Sequence, residues 1–403
     1  MSEGEQIERI AARGDGVTRS GRHVAGGVPG DTVKPDGTVS LGPHRAQPPC
    51  RHFATPPATG CGGCQLQHVD EAALRQFVTD RVVYAAEGQG LVIDELLETH
   101  LSPPASRRRA TLHGLRTAKG AMLGFHEAAS RRIVDLRECH ILQPELVALI
   151  DPLRRLIADY AGRDPVDVEL TRADQGIDCN FKGLEPKGLA AQEALAGFAR
   201  DHGLARLSLD YGYGPETIWE PEPVTVKLGS VAVSLPHGAF LQPTHDGEQV
   251  LINDARDFLG EAATVADLFS GLGTFAFDLA NPAKVLAVEA GRDAHLACKA
   301  SANSRQLPVH AMHRDLFRNP LQPAEIDRFA AVVLDPPRAG ARDQIAQIAA
   351  SGAERIAYIS CNPASWAKDA KTLVEAGFGL RKLRPVGQFR WSTHVELTSY
   401  FTR

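Results

Sequence analysis

Asp267-Leu268-Phe269-Ser270-Gly271-Leu272-Gly273-Thr274-Phe275 decides the fold. The apolar run Thr264-Val265-Ala266-Asp267-Leu268 is of strand length and breaks into a turn with two glycines, followed by residues of helical character. A strand, a Gly-rich turn and a helix in that order bring bare backbone against a ligand, with Gly271 and Gly273 clearing the approach. Formally Gly271-x-Gly273-x-x-Ala276 satisfies the dinucleotide fingerprint, so the turn alone fits either a nicotinamide dinucleotide or S-adenosylmethionine. Both carry a ribose diol. Glu289, at the end of the next apolar run from Lys284, is placed to accept its hydroxyls.

Two more apolar runs come after it, FAAVVLDPP (329–337) and RIAYISCNP (355–363), separated by segments of helical periodicity. Near-continuous apolar strands imply a parallel sheet covered on both faces, whose sites lie beyond the strands' C-terminal ends. The spacing therefore predicts a Rossmann-like α/β domain over 236–403. Asp335-Pro336-Pro337 ends the fourth strand, an element for which a dehydrogenase has no use. It resembles the acid-or-amide, Pro-Pro element of S-adenosylmethionine enzymes that act on nucleobases. Those that methylate exocyclic amines usually have an aromatic residue next, whereas this chain has Arg338, which disfavours amine methylation.

Cys361 ends the fifth strand, beside that of Asp335, and His394-Val395-Glu396 opens the last, where alternation would send His394 and Glu396 to one face. A thiol next to a proton acceptor suits methylation of a pyrimidine carbon. Uracil C5 is a poor nucleophile until a thiolate adds at C6, and a base must then remove the C5 proton so that the thiol can leave. Glu396 is the expected acceptor and His394 the reserve.

Five elements, Phe240-Leu241-Gln242, LFSGLGTF (268–275), LDPPRAG (334–340), SCNP (360–363) and HVE (394–396), together resemble the RNA 5-methyluridine (uracil-C5) methyltransferase family. The resemblance implies Cys361 as nucleophile and Glu396 as general base, and S-adenosylmethionine as methyl donor. It also implies Gln242, Phe269, Glu289 and Asp335 as contacts to cofactor or target uracil, joining Gly271 and Gly273 of the turn. Two residues after the Gln the family often has Asn, where this chain has Thr244, which puts one polar contact in question.

Ahead of this domain lies a mixed α+β region over 47–235, with strands expected at RRIVDL (131–136) and ARLSLDYGYG (205–214) and helices at EAALRQFVTDRVVYAA (71–86) and LVALIDPLRRLIADYA (146–161). Cys50, Cys61, Cys64 and Cys139 supply four thiols, enough for a zinc ion or a cubane iron–sulfur cluster, and spacing does not choose between them. The resemblance does: CGGCQLQH (61–68) and RRIVDLRECHIL (131–142) are similar to the [4Fe-4S] segments of the family's ribosomal RNA branch. Residues 1–46 are rich in turn signals and read as a small β unit, similar to a shortened TRAM domain.

The formal net charge of −5 conceals a basic stretch, because residues 105–142 carry eight Lys/Arg against three Asp/Glu. It is the local field that phosphates feel. A stacked base cannot offer C6 to a thiolate, so the expected partner is RNA, by resemblance 23S ribosomal RNA, presented as a single strand or loop. Arg107, Arg108, Arg109, Arg131 and Arg132 are the expected phosphate contacts, with Phe125 and His126 as stacking groups. The sequence shows neither an export signal nor a membrane-length apolar run, so a cytoplasmic protein without membrane attachment or an obligate protein partner is expected.

Overall fold

The computed structural model describes residues 4–403. The chain divides into two compact units, one of Met1–Phe77, Ser102–Val224 and Phe389–Thr393, the other of Val78–Leu101, Thr225–Gln388 and His394–Arg403. The N-terminal region and most of the central region read from sequence thus fall in one unit, while 225–235 of the central region fall in the other. Residues 78–101 fall in the other because Ile93–Leu96 and His100–Leu101 pair with strand Gly379–Gly387 and extend its sheet.

The second unit is built on that sheet. Its parallel core runs Val309–His313, Lys284–Glu289, Thr264–Leu268, Ala331–Leu334, Arg355–Ser360, with the order reversing between the third and fourth of these. Glu396–Thr402 then joins antiparallel to Arg355–Ser360, and Gly379–Gly387 pairs antiparallel with it. Every residue of Ala331–Leu334 and all but the first of Arg355–Ser360 is buried, as strands covered on both faces must be.

The first unit carries two sheets. Five short strands between Glu5 and Ser40 pair in a single antiparallel sheet, the expected small β unit. Six strands in the order Pro215–Trp219, Leu204–Asp210, Gly176–Lys182, Val166–Ala173, Arg109–Thr117, Gly120–Gly124 form the other. Helix Ile150–Tyr160 packs on this sheet through Leu153, Leu156 and Ile157. The long helix expected over 146–161 is two, Pro144–Ala148 and Ile150–Tyr160. Pro152 causes the break, since it has no N–H to offer and its ring crowds the carbonyl of Ala148.

RRIVDL does not form a strand; it contributes one isolated bridge, His126 to Ile133. The ladder to Gly120–Gly124 fails because the Asp135 carboxylate accepts the Leu123 N–H at 3.1 Å and then pairs with Arg154 at 2.9 Å. The segment packs so closely that a Cβ on Gly124 would meet the Val134 carbonyl oxygen at 2.0 Å. Among the described residues no helix is long and apolar enough to cross a membrane. Because neither backbone can retreat without breaking hydrogen bonds, Gly124→Ala should destabilise this unit by roughly 1–3 kcal/mol, read as a lower Tm in calorimetry.

Candidate active site

Side chains from the C-terminal ends of the parallel strands, together with Gln242 and Glu396, line a cavity of about 810 Å³. That volume suits a drug-sized ligand. Each motif read from sequence has a local reason for its geometry. Phe269 holds a positive φ of 63°, which costs about 1–3 kcal/mol for a residue with a side chain, and its ring leans on Phe317 at 5.4 Å. Gly271 comes next at φ 55°, and a Cβ there would meet nothing within 4 Å, so this backbone is open to a ligand. Gly273 does not line the cavity. It is buried, and its missing side chain makes room for the Phe277 ring, which a Cβ would meet at 2.7 Å.

Glu289 accepts the backbone N–H of Gly271 at 2.9 Å and of Gly291 at 2.5 Å, which fixes its carboxylate at the cavity edge. Ser270, on the same wall, has a buried hydroxyl without a partner, as a site that receives a polar ligand would have. The loop after Asp335 is held by the helix after Cys361. Asn362 caps helix Pro363–Glu375 through Ala364 N–H at 3.2 Å and with its own amide donates to the Arg338 carbonyl at 3.0 Å. Asp369 accepts the Ala341 N–H at 2.8 Å and the Tyr358 hydroxyl at 2.7 Å. Ser-Cys-Asn-Pro therefore works as strand end, thiol, helix cap and first helical residue.

The cavity and the turn behind it gather buried acidic groups. Burial pushes the Asp335 carboxyl up to about 7, against the opposing hydrogen bond from Gln242 Nε2 at 2.9 Å. Behind the turn, Asp267 is fully buried, and burial first, then Asp335 and Glu289, raise it to about 8 against the opposing Ala276 backbone N–H. Burial lifts the Cys361 thiol to about 11, with Glu396 and Asp335 adding to the shift. Glu396 is itself 4% exposed and accepts a hydrogen bond from Gln388.

His394 departs from expectation. The last strand begins only at Glu396, so alternation does not apply to His394, which is exposed and absent from the cavity wall. Sequence reasoning missed Asp315 and Phe317, which line the cavity beyond strand Val309–His313. Inspecting the residues just past every strand end would have found them, but Val-His-Ala-Met-His carries no apolar run to mark it as a strand.

In the first unit, Cys50, Cys61, Cys64 and Cys139 all line one small cavity, walled by Phe53, Phe125 and Leu136 and carrying Arg107. Burial raises the thiols of Cys50, Cys61 (to about 11) and Cys64 (to about 12). Among the described residues no three His, Cys, Asp or Glu side chains converge closely enough to hold a metal ion. Four thiols around a shared void, deprotonated on binding, nevertheless suit a cationic polynuclear metal core large enough to keep the sulfurs apart.

The basic stretch is only partly a surface. Arg107 faces this cavity, Arg108 is buried, and Arg131 and Arg132 are exposed, the latter paired with Glu127 at 2.9 Å. Phe125 lines the cysteine cavity, and His126 is stacked on His113 at 3.7 Å, so neither ring is free on both faces for a base.

Residues 222–403 match the tRNA (uracil-5-)-methyltransferase family. An RNA methyltransferase of Zymomonas mobilis is 48% identical over 99% of this chain and 100% of its own length. The chain belongs to the uracil-C5 RNA methyltransferase family. It is accordingly an S-adenosylmethionine-dependent RNA methyltransferase. The 23S rRNA (uracil(1939)-C(5))-methyltransferase of Erwinia tasmaniensis is 29% identical over 91% of this chain and 84% of its own. The structure of Pyrococcus abyssi tRNA (uracil-54, C5)-methyltransferase in complex with S-adenosyl-L-homocysteine shares the fold, with a TM-score of 0.74 at 19% identity over 99% of this chain and 100% of that one.

With its thiol held near 11, Cys361 of the ligand-free methyltransferase should alkylate slowly at neutral pH. The thiolate is the nucleophile, so the rate should climb by about tenfold per pH unit towards that value. Iodoacetamide labelling followed by peptide mass spectrometry checks this; a plateau below pH 9 would contradict it.

Proposed function

We propose that the enzyme methylates C5 of a uridine in RNA, with 23S ribosomal RNA as substrate, through a covalent bond from Cys361 Sγ to uracil C6 and with Glu396 as proton acceptor. The observation that carries this reading is the convergence of a thiol and a carboxylate on the cavity that also holds the glycine turn. The Erwinia relative supports ribosomal RNA, as do the four cysteines.

Gln242, Phe269, Gly271, Glu289 and Asp335 hold the cofactor or the uracil. S-adenosylmethionine, when bound, supplies an electrophilic methyl on a cationic sulfur, a charge that favours the thiolate of Cys361. Cys361 adds to C6, and the electron pair so released makes C5 nucleophilic toward that methyl. Glu396 then takes the C5 proton, the electrons of the C5–H bond re-form the C5=C6 bond, and the C6–S bond breaks to return the thiolate. Arg131 and Arg132 hold the RNA backbone, and the reaction takes place in the cytoplasm.

Cys50, Cys61, Cys64 and Cys139 would hold a [4Fe-4S] cluster, tying the 50–64 loop to Cys139. Anaerobically purified protein should be brown, with iron and sulfide near one cluster, and Cys64→Ser should bleach it. A colourless wild-type protein with one zinc would overturn the cluster and leave the methyltransferase untouched.

The catalytic test separates the two ends of one cycle. Cys361→Ala should abolish turnover and form no adduct. Glu396→Gln should still add and methylate, but elimination should slow by roughly 10²–10⁴, so that a covalent protein–RNA complex accumulates on a denaturing gel. Adding Cys361→Ala should remove that band. If neither Glu396→Gln nor 5-fluorouridine-substituted RNA ever gave a Cys361-dependent band, the covalent mechanism would be wrong and amine methylation would take its place.

A further inference from the structure

Gln388 precedes the segment that leads to the last strand, and no motif in the sequence singles it out. It is 1% exposed, and every hydrogen-bonding position of its amide group is engaged. Its Nε2 donates to Gln242 Oε1 at 3.1 Å and to Glu396 Oε2. Its Oε1 receives the Thr244 backbone N–H at 3.4 Å and the Thr244 hydroxyl at 3.3 Å. Gln242 in turn donates to Asp335 Oδ2 at 2.9 Å.

The polarity of this chain is fixed at both ends. Asp335 and Glu396 are carboxyl groups that accept, the two amides between them donate, and the Thr244 N–H can only donate. Turning the Gln388 amide over would set its oxygen against the Glu396 carboxylate and the Gln242 oxygen, and its NH₂ against the Thr244 N–H, so a single orientation satisfies every partner. Packing locks it further: a Cβ on Gly247 would meet Gln388 Cγ at 2.4 Å, so helix His245–Leu259 seats directly on this side chain.

We infer that Gln388 is a positioning residue for proton removal, tying the Glu396 carboxylate to the Gln242–Asp335 pair so that base and ligand-binding groups are set as one unit. This rests on Glu396 being the base. A donor that binds the charged form of a carboxylate favours that form, so Gln388 keeps Glu396 ready to accept a proton and aims its other oxygen. The other titratable and charged groups on the cavity wall near Glu396, namely Cys361, Asp335 and Arg338, are left in place when Gln388 is changed.

The test uses the full-length enzyme and target RNA, measuring kcat and KM against pH for Gln388→Met, an uncharged side chain of similar length that lacks the donor. A lost hydrogen bond to a charged group should lower kcat at pH 7 about tenfold to a hundredfold, with a smaller rise in KM because Gln242 keeps its own bond to Asp335. The acidic limb of the pH–rate profile should move to higher pH, so that part of the loss is recovered on raising the pH, and the covalent complex seen with Glu396→Gln should accumulate at low pH. Gln388→Glu, which keeps the shape, should move the same limb further, because two adjacent carboxyls share one proton; it carries the test if Gln388→Met does not bind S-adenosylmethionine. A wild-type rate and limb, or a loss that is uniform across pH, while Glu396→Gln still traps the adduct, would overturn the positioning role alone. Failure of Glu396→Gln to trap would overturn the base assignment and, with it, the role of Gln388.

Discussion

A single reversed strand brings the Cys361 thiol and the Glu396 carboxylate together. In a purely parallel sheet every strand would deliver its C-terminal end to the crevice and its N-terminal end to the opposite edge. Here Glu396–Thr402 runs antiparallel to Arg355–Ser360, in a register that sets Leu397 opposite Ser360. The residue that begins one strand therefore neighbours the residue just past the end of the other, and Glu396 comes beside Cys361. The reversal of strand order between Thr264–Leu268 and Ala331–Leu334 opens the crevice that both face. Phe269, Glu289 and Asp335 reach it for the same reason, each standing at or just past a strand end.

That placement crowds acids into a poorly solvated space. Asp267, Asp335 and the Cys361 thiol are all pushed toward their neutral forms, burial first and mutual repulsion next. A cationic sulfonium brought among these groups favours their charged forms, so its arrival opposes the burial that neutralises them. The amide chain through Gln242 and Gln388 also works against that burial, supplying uncharged donors to Asp335 and Glu396.

Legibility in the sequence tracks burial. Strands covered on both faces announce themselves as apolar runs, and Thr264–Leu268, Lys284–Glu289, Ala331–Leu334 and Arg355–Ser360 were legible on that account. The edge strand Val309–His313 has only one other strand beside it and carries two histidines, so Asp315 and Phe317 behind it escaped notice. Alternation misled at His394, where the strand starts two residues later, and RRIVDL is no strand because a side-chain carboxylate takes the place of a carbonyl in the ladder. Charge misled at Arg107 and Arg108, because a run of arginines says nothing about which of them turns inward. Gln388 was illegible because its partner Gln242 lies 146 residues away and nothing local marks Gln388 itself.

Thr244 shows how a local departure is absorbed by tertiary structure. Its hydroxyl accepts the Gly247 N–H at 3.2 Å, capping helix His245–Leu259, and donates to Gln388 Oε1 at 3.3 Å. A hydroxyl can serve both roles at once because it carries a proton as well as lone pairs. An Asn at this position could cap the helix through its carbonyl oxygen, but its amide nitrogen would stand at a different distance and angle from Gln388. Thr244 is fully buried and does not line the cavity, so its polar contacts go to Gly247 and to Gln388, the residue that holds Glu396. The cap, the glycine that lets the helix approach, and the amide between them form one mechanical element, so substitution of any of them should be felt at the carboxylate before it is felt in the sheet.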